Sequence, residues 1–187
     1  LSFPERCCLA LGLEPLLLAL LGLDPLFFLT TLLVELFLLF LRLLFEHVTL
    51  DDGLSQSTVL TVLQDSKGLL WIGTENGVNQ LRDAGTTTVE TVLTGARTRC
   101  AYEDAEGTIW FGTTGRGLLR FRNGQFTSFA RPAGLPTDNI WAIQEDDEGY
   151  LWLGGPEGLA RVGKAHFNDL DAGDISVLPV DTLGTKD

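Results

Sequence analysis

The chain has 187 residues, a formal net charge of −12 and a pI of about 4.4. An acidic surface of that kind repels phosphate backbones, so nucleic-acid binding is set aside, and the charge reads as a solvated exterior. The three Cys (Cys7, Cys8 and Cys100) are odd in number and show neither C-x-x-C nor zinc spacing, so no disulfide framework is indicated. There is no Met, and the first residue is Leu, so the sequence reads as a piece of a longer protein.

Residues 1–46 are apolar and of low complexity. LGLEPL (Leu11 to Leu16) is echoed by LGLDPL (Leu21 to Leu26), and the rest is mostly Leu and Phe. The most apolar window, Pro25 to Phe45, holds Glu35 near its centre and Arg42 near its end. A central acid costs roughly 2.5–3.5 kcal/mol on insertion scales and each Leu or Phe returns roughly 0.3–0.6, so a helix here has enough apolar residues to insert. Three readings stay open: an export signal or membrane anchor, an aberrant terminus of a fragment, and a buried or partner-binding helix. A basic start and a small-residue cleavage site are not clear, since Glu5 precedes Arg6. The adjacent Cys7 and Cys8 lie outside any lipidation motif.

From His47 onward the composition turns to Gly, Thr, Asp and Trp. STVLTVLQD (Ser57 to Asp65) is β-branched and reads as a strand. The DSKG turn follows: Asp65 can bond the backbone ahead of it, and Gly68 supplies positive φ in a hairpin loop with a Gly bulge. LLWIGT, VNQLR and TTTVETVL then read as a second, third and fourth strand. The frame D-x-x-G-x-[LI]-W-[ILF]-G recurs three times, as Asp65, Gly68, Trp71, Gly73; as Asp104, Gly107, Trp110, Gly112; and as Asp146, Gly149, Trp152, Gly154. The Trp residues stand 39 and 42 residues apart, a period that signals a repeat architecture. Each unit of about 40 residues reads as a four-stranded antiparallel meander, which cannot bury both faces alone. The expected fold is therefore all-β: a partial β-propeller preceded by the apolar, helical N-terminal segment. The expected divisions are 1–46, a first blade at 47–95, a second at 96–133, a third at 134–165, and a linker with the truncated start of another blade at 166–187. The recurring Trp is expected to pack between blades with its indole N–H on a backbone carbonyl, and the second Gly to let a neighbour approach closely.

The stretch GLSQSTVLTVLQDSKGLLWIGTENGVNQL (Gly53 to Leu81), with GLPTDN (Gly134 to Asn139) matching its opening in the third copy, resembles the two-component regulator propeller repeat. The resemblance covers roughly residues 45 to 165. It implies a sensor propeller of hybrid two-component histidine kinases or related diguanylate cyclases, periplasmic or extracytoplasmic and tethered to the inner membrane in the parent. It implies further blades, of about seven in all, and a β-sandwich, a membrane helix and an output domain elsewhere in the parent.

No catalytic constellation, cofactor motif or metal-ligand spacing stands out, and the two histidines, His47 and His166, flank the repeats and are expected at the surface. The loops GLSQST, TENG, TTGRG, GLPTDN and GGPEG should gather at one end of the propeller, with the D-x-x-G turns at the other. Leu60, Arg99 and Trp141 hold one equivalent, varying inner-strand position beside an apolar one (Val62, Ala101, Ile143). An Arg and a Trp there suit an anionic or sugar-like ligand, while packing between blades is the alternative. Arg116, in the longer TTGRG loop, and Asn139 are further binding candidates. The leading reading is ligand sensing without chemistry in this chain. A protein-interaction scaffold and a streptogramin-lyase-like enzyme are the alternatives, the latter disfavoured by the lack of His within the repeats.

Overall fold

The computed structural model describes residues 48–81 and 89–183, together with Val34 and Leu36. The chain divides into two units, Leu1–His47 and Val48–Asp187. In the first, Val34 and Leu36 are helical and exposed; the expectations for the rest of residues 1–46 and for His47 lie outside the described residues. Among the described residues no helix is long and apolar enough to cross a membrane.

The second unit is three antiparallel four-stranded blades. β1 (Val59–Gln64), β2 (Leu70–Thr74), β3 (Gly77–Leu81) and β4 (Val89–Thr94) form the first, in chain order. β5 (Arg97–Glu103), β6 (Ile109–Thr114), β7 (Leu118–Arg122) and β8 (Gln125–Phe129) form the second. The third holds β9 (Ala142–Glu145), β10 (Tyr150–Gly155) and β11 (Gly158–Gly163), then departs from the pattern. Helix α1 (Lys164–Ala172) follows β11 directly, and β12 (Val180–Leu183) returns to pair with β11, Val162 opposite Val180 and Leu159 opposite Leu183. Residues 166–187 were expected to be a linker and the start of another blade; instead β12, at Val180–Leu183, completes the third blade, and residues 184–187 lie outside the described residues. The third and fourth strands of the second blade are joined by a tight Asn123-Gly124 turn with both residues at positive φ. In the third blade a helix takes that turn's place, ended by Gly173 at φ 80°, whose N–H donates to the carbonyls of Asp169 and Leu170.

The three turns share one hydrogen-bond pattern. Oδ1 of Asp65, Asp104 and Asp146 accepts the backbone N–H groups two and four residues on, all at 2.9–3.0 Å. Gly68, Gly107 and Gly149, at φ 75–83°, donate to the same Asp's carbonyl. The remaining oxygen, Oδ2, accepts the indole N–H of Trp71, Trp110 or Trp152 at 2.9, 3.0 and 2.7 Å. The indole partner is thus the turn carboxylate, not the backbone carbonyl expected from sequence. A carboxylate accepts several donors at once and holds them more strongly than a neutral oxygen.

So anchored, Trp71 faces the second blade, with ring centroids 5.7 Å from Phe111 and 4.8 Å from Phe121. Trp110 faces the third, 5.0 Å from Phe167 of α1. Both indoles are 1% exposed. At about 25 cal/mol per Å2, an indole of about 200 Å2 contributes on the order of 5 kcal/mol as an upper bound. Each blade therefore has a front face carrying its Trp and a rear face that covers the Trp of the blade before. The second Gly of the frame is crowded from two sides. A Cβ on Gly73 would lie 2.5 Å from Cγ2 of Thr61 in its own blade and 2.8 Å from Cγ2 of Thr98 in the next, and one on Gly112 would lie 2.4 Å from Sγ of Cys100 and 2.7 Å from the Ile140 carbonyl oxygen.

Replacing Asp104 by Ala strands a buried indole N–H and two backbone N–H groups and is expected to cost about 3 kcal/mol or more in chemical denaturation. Asp104→Asn should also destabilise, because one side of the amide is a donor facing a donor. Asp146 is held below its ordinary value of 3.8, chiefly by the Tyr150 N–H, against the pull of its own burial, with the Trp152 indole, the Glu148 N–H and Arg161 assisting. Its contribution to stability is complete above 3.8 and is lost as pH falls through the lower folded value. An acid titration of tryptophan fluorescence should show that loss, and Asp146→Asn should remove it.

Candidate functional site

The innermost strands β1, β5 and β9 lie side by side, since the contacts between successive blades centre on them. Along β1 the pairing with β2 slips between Val59 and Thr61, and along β5 the pairing with β6 slips between Thr98 and Cys100. Leu60 and Arg99 are the residues left out of register, and each is a β-bulge. Trp141 holds the same position just before β9, its N–H donating to the Gly154 carbonyl at 2.7 Å. A bulge sets two residues opposite one, bends the strand and re-aims the side chain. The varying position read from the sequence therefore coincides in the first two blades with a repeated irregularity in the backbone.

The structure brings two of the candidates together. The Arg99 guanidinium lies 5.8 Å from the centre of the Trp141 ring, and Arg99 Nε donates to Oγ1 of Thr114 at 3.2 Å. Thr114 in turn pairs with Asn139 in an antiparallel bridge between blades. Arg99 is exposed and Trp141 is 48% exposed, so neither is packed in the seam. Cation–π contact at such a surface contributes about 0.5–1 kcal/mol and leaves most of the guanidinium's donors available. Leu60 is half-buried at the equivalent bulge of the first blade. Arg116 is exposed and reaches the Thr94 carbonyl at 3.3 Å, at the exit of the first blade. The loops gather as expected: Gly115 and Gly117 both donate to the Asp138 carbonyl, and Arg131 pairs with Asp138 and Glu157.

The opposite end carries a second set of charges that the sequence pattern did not reveal. Glu103, the last residue of β5, accepts from the backbone N–H and the hydroxyl of Ser66 in the first blade's turn, at 2.6 and 2.7 Å. Glu145, its equivalent in β9, accepts from Tyr102 at 3.2 Å and pairs with Lys164 at 2.8 Å. Lys164 also lies 3.5 Å from Asp104 and from Glu106. Burial works against the charge of Lys164, but the hydrogen bond to Glu145 and the charges of Asp104, Glu145 and Glu106 outweigh it and raise its pKa. Burial, with Glu145 assisting, also raises that of Tyr102. The visible signal was the Glu immediately before the turn Asp in the second and third copies. A cleft of about 500 Å3 opens at this end between the first two blades, lined by Ser66, Lys67, Glu103, Glu106, Arg122 and Asn123 among others. Its charges are of both signs, so its chemistry singles out no ligand. His166, expected at the surface, is half-buried on α1 with Nδ1 enclosed and unpartnered. Burial pushes the Cys100 thiol up to about 11, against a bond from the Gly112 backbone.

With three matching blades and their shared clasp described, the comparison with known proteins is direct. The two-component regulator propeller pattern matches residues 53–76, 93–115 and 134–157, once in each blade. The blades are two-component regulator propeller repeats. Each match runs from the loop before the inner strand, through the Asp-Gly turn and the Trp, to the following turn. Solved structures share the fold. The extracellular domain of a one component system from B. thetaiotaomicron is 20% identical over 70% of this chain and 19% of its own, with a TM-score of 0.54. PorZ, a surface component of the type-IX secretion system of Porphyromonas gingivalis, is 21% identical over 57% of this chain and 17% of its own, with a TM-score of 0.51. Virginiamycin B lyase from Staphylococcus aureus is 17% identical over 71% of this chain and 44% of its own, with a TM-score of 0.52. The chain thus spans less than half the length of each of these. No curated protein matches it significantly.

Lys164→Met is expected to lower the thermal midpoint at neutral pH, because Glu145 and Asp104 lose their shared counter-charge at the seam between the second and third blades. A variant as stable as the parent would show that the cluster contributes nothing to holding the blades.

Proposed function

We propose that these blades are part of the extracytoplasmic sensing propeller of a two-component-type receptor, tethered to the inner membrane in the parent protein. The observation that carries this is the Arg99–Trp141 pair. Arg99 stands at the bulge of β5 and Trp141 at the equivalent position just before β9, both exposed, with the Thr114–Asn139 bridge beside them. A guanidinium beside an open indole face suits a small anion or a sugar: charged hydrogen bonds from one, ring stacking from the other. Arg116 and Leu60 would extend the same surface. The repeat family and the extracellular, signalling character of the solved B. thetaiotaomicron neighbours support the reading. Sensing needs no bond made or broken in this chain. A ligand that binds one arrangement of the receptor better shifts the population toward it, and an output domain elsewhere responds. Partners would be the ligand or a partner domain, together with further blades of the parent propeller.

The lyase reading has one structural point in its favour, the shared fold with virginiamycin B lyase, one solved form of which is a catalytically inactive His variant. His166, the one His among the described residues, sits on α1 with its Nδ1 enclosed, which is a poor position for a proton-transfer group. A scaffold that docks a protein through the same loops remains the competing use of this surface.

Thermal melting against oligosaccharides and small anions tests the proposal. A ligand at 100 times its dissociation constant should add about 2.7 kcal/mol. The shift should vanish in Arg99→Ala and Trp141→Ala and persist in Arg122→Ala, at the opposite end. A shift that survives both inner-strand variants would contradict the assignment.

A further inference from the structure

Asn-Gly occurs twice in the chain, at Asn76–Gly77 and at Asn123–Gly124. In such a pair the backbone nitrogen of the Gly can reach the side-chain carbonyl carbon of the Asn, because no Cβ stands in the way. The fold treats the two pairs differently. Gly77 opens β3 and is buried, paired with Thr74 on one side and Thr94 on the other. The Asn76 carbonyl accepts the Gly95 N–H at 2.8 Å, and a Cβ on Gly77 would collide with the Leu93 carbonyl. The peptide joining Asn76 to Gly77 is thus held from both sides and has no room to turn.

The second pair is open. Asn123 and Gly124 form the two-residue turn between β7 and β8, both exposed, at φ 53° and 79°. Among the described residues, no backbone carbonyl accepts the Gly124 N–H and no partner bonds the Asn123 amide. Beyond its chain neighbours, nothing lies within 4 Å of where a Cβ on Gly124 would stand.

We propose that Asn123 is a site of spontaneous deamidation, and that the reaction loosens the seam between the first two blades. The Gly124 nitrogen gives its proton to solvent base and attacks Cγ of Asn123. The new C–N bond closes a succinimide, and the side-chain nitrogen leaves as ammonia. Water then opens the ring at one of its two carbonyls. Opening at Cγ leaves Asp, and opening at the backbone carbonyl carries the chain through the side chain as isoaspartate. One water enters, one ammonia leaves, and nothing is oxidised or reduced.

Isoaspartate adds a carbon to the main chain of a two-residue turn, so Arg122 and Gln125 no longer face each other. That hairpin sets Phe121 opposite Phe126, their ring centroids 4.8 Å apart, and Phe121 lies 4.8 Å from Trp71 across the seam. Either product also puts a carboxylate beside Arg122. It competes with Asn168 of α1 for the Arg122 Nη1 donor, bonded there at 3.1 Å.

Incubation of the folded 187-residue chain in warm, mildly alkaline buffer, followed by peptide mass mapping, reads the reaction. Asn123 should gain the amide-to-acid mass difference, and take up heavy oxygen from labelled water, several times faster than Asn76. In denaturant the two sites should react at similar rates. Asn123→Gly keeps a residue suited to positive φ and cannot react. Its thermal midpoint should hold through the incubation while that of the parent falls. Equal rates at the two sites in the folded chain, or a faster Asn76, overturn the proposal. A difference that persists in denaturant overturns it too, because local sequence and not the fold would then set the rates. An equal fall of the midpoint in the parent and in Asn123→Gly overturns the link to the seam.

Discussion

The blades depend on one carboxylate each. Asp65, Asp104 and Asp146 take two backbone N–H groups on one oxygen and an indole N–H on the other. One side chain thereby closes the hairpin between the inner strand and its neighbour, and also fixes the orientation of the largest side chain in the blade. An indole held by its N–H presents its rings at a set angle to the next blade, and at Gly73 and Gly112 the missing Cβ leaves room both for the inner strand of the same blade and for the next blade. Turn, strand pairing and blade packing are therefore coupled through a single residue.

That coupling explains why so little else repeats. With the clasp, the Trp and the close-approach glycine supplied by each copy, the rear faces need only be apolar, and they are filled differently: Phe111 and Phe121 over Trp71, Phe167 of a helix over Trp110. The same tolerance applies at the bulge. Arg99 and Trp141 are exposed and Leu60 is half-buried, so residues of very different size and charge stand at one position without disturbing the seam. A rigid scaffold with a variable, accessible position is what a binding surface requires.

Much of this was legible in the sequence. The period, the turn chemistry of D-x-x-G, the four-strand units and the close-approach role of Gly73 and Gly112 follow from local rules, because each is a local constraint on backbone conformation. The indole partner was misread because a backbone carbonyl and a turn carboxylate are equally reasonable acceptors until the strand register places one of them. The fourth strand of the third blade was missed because a nine-residue helix separates it from β11, and short-range patterning carries no information about a strand that returns after such an insertion. The Glu103–Ser66 lock joins residues 37 positions apart, and the Lys164 cluster joins α1, β9 and the turn after β5, so only the packed blades reveal them. For the site, the alignment of copies singled out Leu60, Arg99 and Trp141 as candidates, but the bulge at the first two is a property of pairing register.

The central claim, that the turn carboxylates hold the blade tryptophans by their indole N–H groups, is tested most directly by hydrogen exchange of the four indole resonances. The account predicts strong protection at Trp71 and Trp110, lesser but clear protection at the half-buried Trp152, and rapid exchange at the exposed Trp141. Uniformly fast exchange, or protection of Trp141 equal to the other three, would contradict it.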